Sequence, residues 1–368
     1  MEATLDAFRD AIRQAGDSRA PLRLRGGGSK DFYGQALVGT VLDTRPYAGI
    51  VDYDPAELVV TARCGTPLAE IEAALAERRQ MLAFEAPHFA APGIATLGGA
   101  VAAGLSGPRR QSVGALRDFV LGVQLMDGRG EVLHFGGQVM KNVAGYDVSR
   151  LLTGSLGTLG LILEVSLKVL PIPFDDATLR FALPQAEAIE RLNRWGGQPL
   201  PIAASAWQDG VLDVRLSGAT AAVRAACEKL GGDRVEPGEA LALWAALREQ
   251  SHPFFAPAHT KDHGRALWRI AVPPIAPPLD LPGTQLVEWG GGQRWWLAPE
   301  GDPATVSADS VRAIAQAAGG HATLFRNGDK AVGVFTPLSA PLAAIHKRLK
   351  ATFDPAGIFN PQRLYTGL

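Results

Sequence analysis

Three consecutive glycines followed by serine and lysine, in LRLRGGGSKDFYG from Leu22 to Gly34, are the first residues whose types and spacing suggest chemistry. Glycines free to adopt φ > 0 can line up successive N–H groups as a nest for an anion, and a pyrophosphate suits such a nest well. The loop matches neither nucleotide fingerprint. A P-loop needs lysine directly after its last glycine, where Ser29 intervenes here, and G-x-G-x-x-G needs a third glycine where Asp31 stands. A tight turn between strands accounts for one or two of the glycines, so turn and nest both stay open on this loop alone. A second set, Gly154, Gly157 and Gly160 in YDVSRLLTGSLGTLGLILEVSLKV, carries hydroxyls at Ser155 and Thr158, and a third runs from Gly98 to Gly104. Three such segments favour an extended cofactor lying along backbone over three unrelated turns.

Candidates for acid–base work and for holding a substrate anion are sparse. HPFFAPAHTKDHGR offers His252, His259, His263 and Arg265, and LFRNGDK offers Arg326 and Lys330. His259 and His263 would share a helix face and so suggest a metal, but Pro257, Gly264 and the absence of a helical period favour unrelated loop histidines and no metal site. The pair Arg109-Arg110 reads first as a solvated loop, with neutralisation of a phosphate or a substrate carboxylate as the alternative. Cys64 and Cys227 fit no disulfide, metal or redox spacing and read as buried apolar filler in a reducing compartment.

The elements that must position these residues follow from periodicity. Leu5, Phe8 and Ile12 share one face of an N-terminal helix whose scattered charges exclude a signal peptide. TPLAEIEAALAERRQML reads as a second helix with Thr66 as cap, Pro67 at the first position and no capping box, since Ala69 stands where Glu or Gln would be. Ala95 to Gly114 is too glycine-rich for an isolated amphipathic helix and is expected to be buried. FVLGVQLM and EVLHF flank the turn Asp127 to Gly130 as a hairpin, and GLILEVSLKVLP alternates, predicting Leu161, Leu163, Val165, Leu167 and Val169 inward and Glu164, Ser166 and Lys168 outward.

From Pro171 the texture changes. Strands at TLRFAL, IAASAWQ, VLDVRLSG, ALWRIAVPP, TQLVEW, WWLAP and HATLFR interleave with helices at AEAIERLNRW, AAVRAACEKLGG and SADSVRAIAQAAGG. Hairpin-joined strands mixed with helices predict an antiparallel sheet with helices on one face, an α+β arrangement. Gly290 to Gly292 fall in a strand-to-strand turn, while Trp295-Trp296 suggests a partner surface against a core-filling alternative.

At 368 residues the chain suits two domains, and 47% hydrophobic against 20% charged residues is ordinary for packed globular protein. The balance of 36 basic and 37 acidic residues offers no broad field for nucleic acid or an anionic membrane. No apolar run reaches the length of a membrane helix, so a soluble cytoplasmic protein is expected.

Taken together, RGGGS, CGTPLAEIEAAL, ATLGGAVAAGLSG, KNVAGYDVSRLLTGSLGTLGLILEVSLKV and the terminal FDPAGIFNPQRLY resemble the FAD-linked oxidases of the vanillyl-alcohol-oxidase, or PCMH-type, fold, and within them the FAD-binding subunits of bacterial glycolate oxidases. The resemblance is dense over Leu22 to Leu170 and returns at Phe353 to Tyr365. It implies an α+β protein with a PCMH-type FAD-binding domain of two α/β subdomains over residues 1–172, a smaller antiparallel-sheet cap domain over 173–335, and a helix and tail over 336–368 returning to the first domain. Position by position, it implies that Arg25, Gly26, Gly27, Gly28, Ser29 and Lys30 cradle the FAD pyrophosphate, with Thr96, Leu97, Gly98 and Gly99 as a second wall. Ala103, Gly104, Ser106 and Gly107 would run near the ribityl chain and ring, closed by Gly114. Gly157, Thr158 and Gly160 would pack under the cofactor, Ile162 would meet the adenine through its main chain, and Asn360 would return to the flavin.

Some relatives attach FAD through a histidine beside the pyrophosphate loop. No histidine lies between Leu22 and Gly34, so noncovalent FAD is expected. The implied chemistry is oxidation of a 2-hydroxy acid such as glycolate, with Arg109, Arg326 and Lys330 as candidate contacts to its carboxylate and no assigned catalytic base. The histidines are fewer than in related catalytic subunits, which points to work beside a larger flavin-containing subunit and an iron–sulfur subunit, peripheral to the inner membrane through those partners. A self-sufficient D-lactate dehydrogenase and a non-catalytic electron-relay or assembly subunit stand as alternatives.

Overall fold

The computed structural model describes residues 1–137, 147–260, 264–300 and 307–368. Most of KNVAGYD, and His263, lie outside the described residues. Two compact units form: one comprises Met1–Leu105, Ala115–Ile172 and Pro337–Leu368, the other Ser106–Gly114 and Pro173–Thr336. The short segment Ser106–Gly114 therefore groups with the second unit, although it lies in sequence inside the first.

In the first unit, the helix Glu2–Ser18 buries Phe8, Ile12 and Ala15, with Leu5 half-buried at the edge of the stripe. The strand Leu22–Arg25 follows and runs parallel to Thr40–Asp43. A five-stranded antiparallel sheet has the order Ile50–Asp54, Val59–Arg63, Leu161–Lys168, Val120–Met126, Val132–Gly136. The hairpin over Asp127 to Gly130 is present, with the buried Asp127 carboxylate accepting from the N–H groups of Arg129 and Glu131.

Two expectations are corrected here. Leu161–Lys168 is the central strand and is covered on both faces, so Glu164 and Ser166 are buried rather than outward. Burial is tolerated because both are paired: Tyr47 Oη donates to Glu164 at 3.1 Å, Gln124 Nε2 at 2.8 Å, and the Ser166 and Thr61 hydroxyls lie 2.8 Å apart. Thr66 does not cap the next helix. Its hydroxyl exchanges hydrogen bonds with the backbone of Gly49, and Pro67 occupies the cap position of Leu68–Ala76.

The second unit is built on an eight-stranded sheet in the order Asp233–Arg234, Asp175–Ala182, Val211–Gly218, Ile202–Gln208, Gln285–Glu288, Gln293–Leu297, Leu267–Ala271, His321–Arg326, all neighbours antiparallel. Helices Gln185–Gly196 and Thr220–Leu230 pack on Leu179, Phe181 and Val214, and Ala308–Ala317 packs on Trp268, Ile270 and Trp296. A further helix, Pro237–Glu249, carries no expectation from the sequence reading. Its Trp244 Nε1 donates to Thr178 Oγ1 at 2.9 Å, and Thr178 alternates with Leu179, so this helix covers the opposite face and the helices are not confined to one side.

Trp295 and Trp296 are both buried, which excludes them as a partner surface: Trp295 stacks edge-on to Phe255 and Phe325, and Trp296 Nε1 donates to Pro282 O. Cys64 is buried, whereas Cys227 is only half-buried against the helix-side core.

Candidate functional site

The site is built where the first strand ends. After Arg25 the backbone turns through Gly26, Gly27 and Gly28, the last at φ +74°. A Cβ at Gly26 would lie 2.2 Å from Thr96 Oγ1, and one at Gly27 would lie 1.6 Å from Ile94 O. The glycines thus let the loop lie flat on the segment before Thr96, leaving its other edge to face a cleft. Among the described residues, the N–H groups of Gly26, Gly27, Gly28 and Ser29 donate to no protein acceptor. Four successive donors without partners are the signature of an anion nest.

Two adjoining cavities make up the cleft and share Leu24, Arg25, Gly26, Gly99, Ala102, Leu156 and Asn360 as walls. One adds Gly27, Gly28, Ser29, Lys30, Thr96, Ala103 and Arg363; the other adds Thr44, Cys64, Gly98, Gly157, Gly160, Leu161 and Ile162. The nest end is cationic. Arg25 and Arg23 both pair with Asp31, Lys30 lies over Phe89, and Arg363 points its guanidinium at the carbonyls of Asp31, Tyr33 and Gln35. Burial pulls the Arg363 pKa down to about 10, which still leaves it charged at neutral pH. At the other end burial pushes the Cys64 thiol up to about 12, so it stands in the wall as a neutral thiol.

Asn360 holds the two ends together. Its Oδ1 accepts from Leu24 N–H at 2.9 Å, its Nδ2 donates to Leu156 O at 2.6 Å, and its own N–H donates to Leu22 O at 2.9 Å. A Cβ on Gly157, at φ +70°, would come within 2.7 Å of that Nδ2. Behind Asn360 the buried Asp354 accepts from the N–H groups of Ile358 and Phe359 and pairs with Lys350 at 2.6 Å. Lys350 also donates to Thr158 O and Phe359 O, each at 2.7 Å, which fixes the tail to the glycine loop.

Several residues singled out from the sequence do not line the cleft. Leu97 is buried at the start of a seven-residue helix, Leu97–Ala103, that Thr96 caps through Gly99 N–H and Gly104 ends at φ +64°. Thr158 lies in the core with its hydroxyl donating to Ser155 O. Ser106, Gly107 and Gly114 belong to the segment grouped with the second unit. Conversely, Leu24, Asp31, Thr44, Cys64, Ala102, Leu156 and Arg363 line the cleft without having been singled out. Only the Arg in FNPQRLY carried a local signal, a basic residue three positions beyond the Asn.

The substrate-directed candidates lie in the second unit and have separate surroundings. Arg109 is buried and pairs with Asp176 at 3.0 Å, and Arg110 lies 4.2 Å over the Trp289 ring, so the pair is not a solvated loop. Arg265 donates to Ala298 O and Leu297 O, a structural role. His252 caps the 3-10 turn Pro253–Ala258 through Phe254 N–H, and His259 ends it; burial lowers the pKa of both, keeping the imidazoles neutral. Burial also pulls Arg326 down to about 10, and Lys330 is half-buried at the start of the turn Lys330–Val332. Among the described residues no cluster of three or more His, Cys, Asp or Glu is set to hold a metal. Among the described residues no catalytic base emerges from this arrangement.

Residues 3–136 match the FAD binding domain family. Over 98% of its length the chain is 48% identical to the glycolate oxidase subunit GlcE of Escherichia coli (strain K12), covering 97% of that protein. It is 31% identical to the glycolate oxidase subunit GlcD of Bacillus subtilis (strain 168) over 44% of this chain and 34% of that protein. A solved alkyldihydroxyacetonephosphate synthase superimposes with a TM-score of 0.66 over 97% of this chain and 75% of that one, at 15% identity, a likeness of fold.

Proposed function

The chain belongs to the family of the glycolate oxidase subunit GlcE, and on that premise we propose that it is the FAD-binding subunit of an enzyme that oxidises glycolate to glyoxylate. The observation that carries the placement of the cofactor is the run of four unpartnered N–H groups, Gly26 to Ser29, facing a cleft with Arg25, Lys30 and Arg363 at the same end. That donor set suits a pyrophosphate: the amides supply fixed dipoles and the cations offset its charge. Gly98, Gly99 and Ala103 form the opposite wall, and Gly157, Gly160 and Ile162 the far end, where small residues and exposed backbone leave room for a flat, extended group. Thr96 lines the nest end of the cleft, and Leu97, Gly104 and Thr158 support the walls from behind. Among the described residues no histidine lines the cleft, and the FAD proposed here is noncovalent.

When bound, FAD supplies the acceptor for a hydride from the α-carbon of the hydroxy acid. The chain's part is to hold the dinucleotide in one pose. Asn360 keeps the strand Leu22–Arg25 and the glycine loop at fixed separation, and the neutral Cys64 thiol adds no nucleophile or charge. Arg326 and Lys330 carry positive charge and are the proposed contacts for a substrate carboxylate. Arg109 is less suited, because Asp176 already engages it.

The family relation to a named subunit supports a multi-subunit enzyme with a GlcD-like partner. We add an iron–sulfur subunit, since this chain has two cysteines and cannot furnish the four thiolates of a cluster. Among the described residues no helix is long and apolar enough to cross a membrane; the proposed assembly is cytoplasmic and reaches the inner membrane only through partners.

The test is a visible spectrum of the purified chain, alone and with its partners, before and after anaerobic addition of glycolate and of D-lactate. We expect bound flavin in the chain alone and bleaching by glycolate only in the complex. Bleaching of the lone chain by D-lactate favours a self-sufficient dehydrogenase. Flavin never bleached even in the complex favours a relay or assembly role. A chain that cannot be reconstituted with FAD overturns all three.

A further inference from the structure

The C-terminal helix Ala340–Phe353 buries only one of its 14 residues, Phe353. Yet Leu342, Ile345, His346, Leu349 and Phe353 fall on one stripe at helical spacing. The stripe starts in the core at Phe353, is half-buried at Leu349 and His346, and ends in solvent at Ile345, 42% exposed, and Leu342, 49% exposed. An apolar stripe that runs out of the molecule is a stripe left uncovered. Where it leaves the core it borders a separate cavity, whose walls include Leu151, Leu159, Leu349 and Leu364 with the polar Thr153, His346 and Lys350. This cavity lies on the reverse side of the glycine loop from the cleft: Leu156 and Gly157 face the cleft, whereas Leu159 faces the cavity. Thr153 Oγ1, buried at its wall, has no hydrogen-bond partner among the described residues. Leu151, on the cavity rim, is itself 38% exposed.

Charge narrows the occupant. The helix carries no acidic residue, and its exposed charged side chains are Lys347 and Arg348. Such a surface repels another copy of itself and favours an apolar segment flanked by carboxylates.

We propose that the helix Ala340–Phe353 and the leucine-lined cavity at its base dock the partner subunit, which inserts an apolar side chain into the cavity and sets acidic residues against Lys347 and Arg348. This rests on the subunit reading above. Seating that partner there would place it across the glycine loop from the proposed FAD site.

The experiment measures binding of the full chain, with FAD bound, to its GlcD-like partner at low and high salt. Leu342→Glu with Ile345→Glu is expected to weaken binding at least about tenfold, as loss of a central apolar anchor does. Lys347→Glu with Arg348→Glu is expected to weaken it at low salt and flatten its salt dependence. Flavin content and thermal unfolding should match wild type in both double variants, whose replaced side chains are exposed. If the wild-type chain fails to bind the partner, the subunit reading itself falls. If it binds and neither double variant weakens the complex, only the docking surface is overturned. Wild-type self-association, or adhesion to phosphatidylglycerol vesicles, that these substitutions abolish while partner binding persists would overturn it as well.

Discussion

Gly157 shows why a single side chain decides this cleft. It sits at φ +70° with Asn360 Nδ2 where its Cβ would be, so Gly157→Val both strains the backbone and pushes away the amide that joins Leu24 to Leu156. We expect the purified variant to lose its flavin absorbance, and full retention would sink the placement of the loop against the cofactor. Cys64 gives a pH test. Its folded pKa is raised to about 12 from the ordinary 9.0, so between these values the unfolded chain releases a proton that the folded chain keeps. Stability is intact below pH 9 and falls by about 1.4 kcal/mol per pH unit above it from this group alone. Urea midpoints measured across that window should decline less steeply in Cys64→Ala.

At the scale of elements, the tail is held by a buried ion pair rather than by helix packing. Asp354→Ala would leave Lys350, its side chain 11% exposed, without its ion-pair partner and strand the N–H groups of Ile358 and Phe359. The expected loss is about 3–5 kcal/mol, the range for breaking one side of a buried pair, read as a lower denaturation midpoint with earlier flavin release. The motif FDPAGIFNPQ therefore works as a unit: the Asp ties off the helix and the Asn reaches the first strand. Its composition marks it as a turn-rich tail, and its type is legible from the sequence. What it docks against is not, because Asn360 and Leu24 are separated by 336 positions and no local pattern links them. The strand Leu161–Lys168 makes the same point in reverse. Its period-2 alternation is plain, but a central strand is covered on both faces, so the alternation did not report solvent exposure.

For the whole molecule, the informative feature is a chain that leaves one unit and returns. Ser106–Gly114 packs in the second unit through Trp289 Nε1 donating to Gly107 O at 3.2 Å, Gln111 accepting from Ser205 Oγ at 2.6 Å, and Arg110 over the Trp289 ring. Trp289→Ala removes both the ring and the donor, and amides of this segment should exchange at least about tenfold faster in hydrogen-exchange measurements. Unchanged protection would mean that other contacts hold the segment. The glycine-rich texture of Ala95 to Gly114 announced close packing, yet it divides at Leu105 between two units, a division that composition does not show.

By itself the sequence determined what depends on neighbours within a few positions: the glycines that permit the Gly26–Ser29 nest, the hairpin at Asp127, the apolar stripe of the N-terminal helix, and seven of the eight strands of the second sheet. These follow from backbone sterics and from periodicity, and both act along the chain. Tertiary structure decided what depends on who lies opposite. It buried Trp295 and Trp296, brought Arg363 and Asn360 to the first strand, put Pro237–Glu249 on the far face of its sheet, and left Leu342 and Ile345 uncovered. Burial and charge pairing are properties of the surrounding elements, and residues hundreds of positions away supply them.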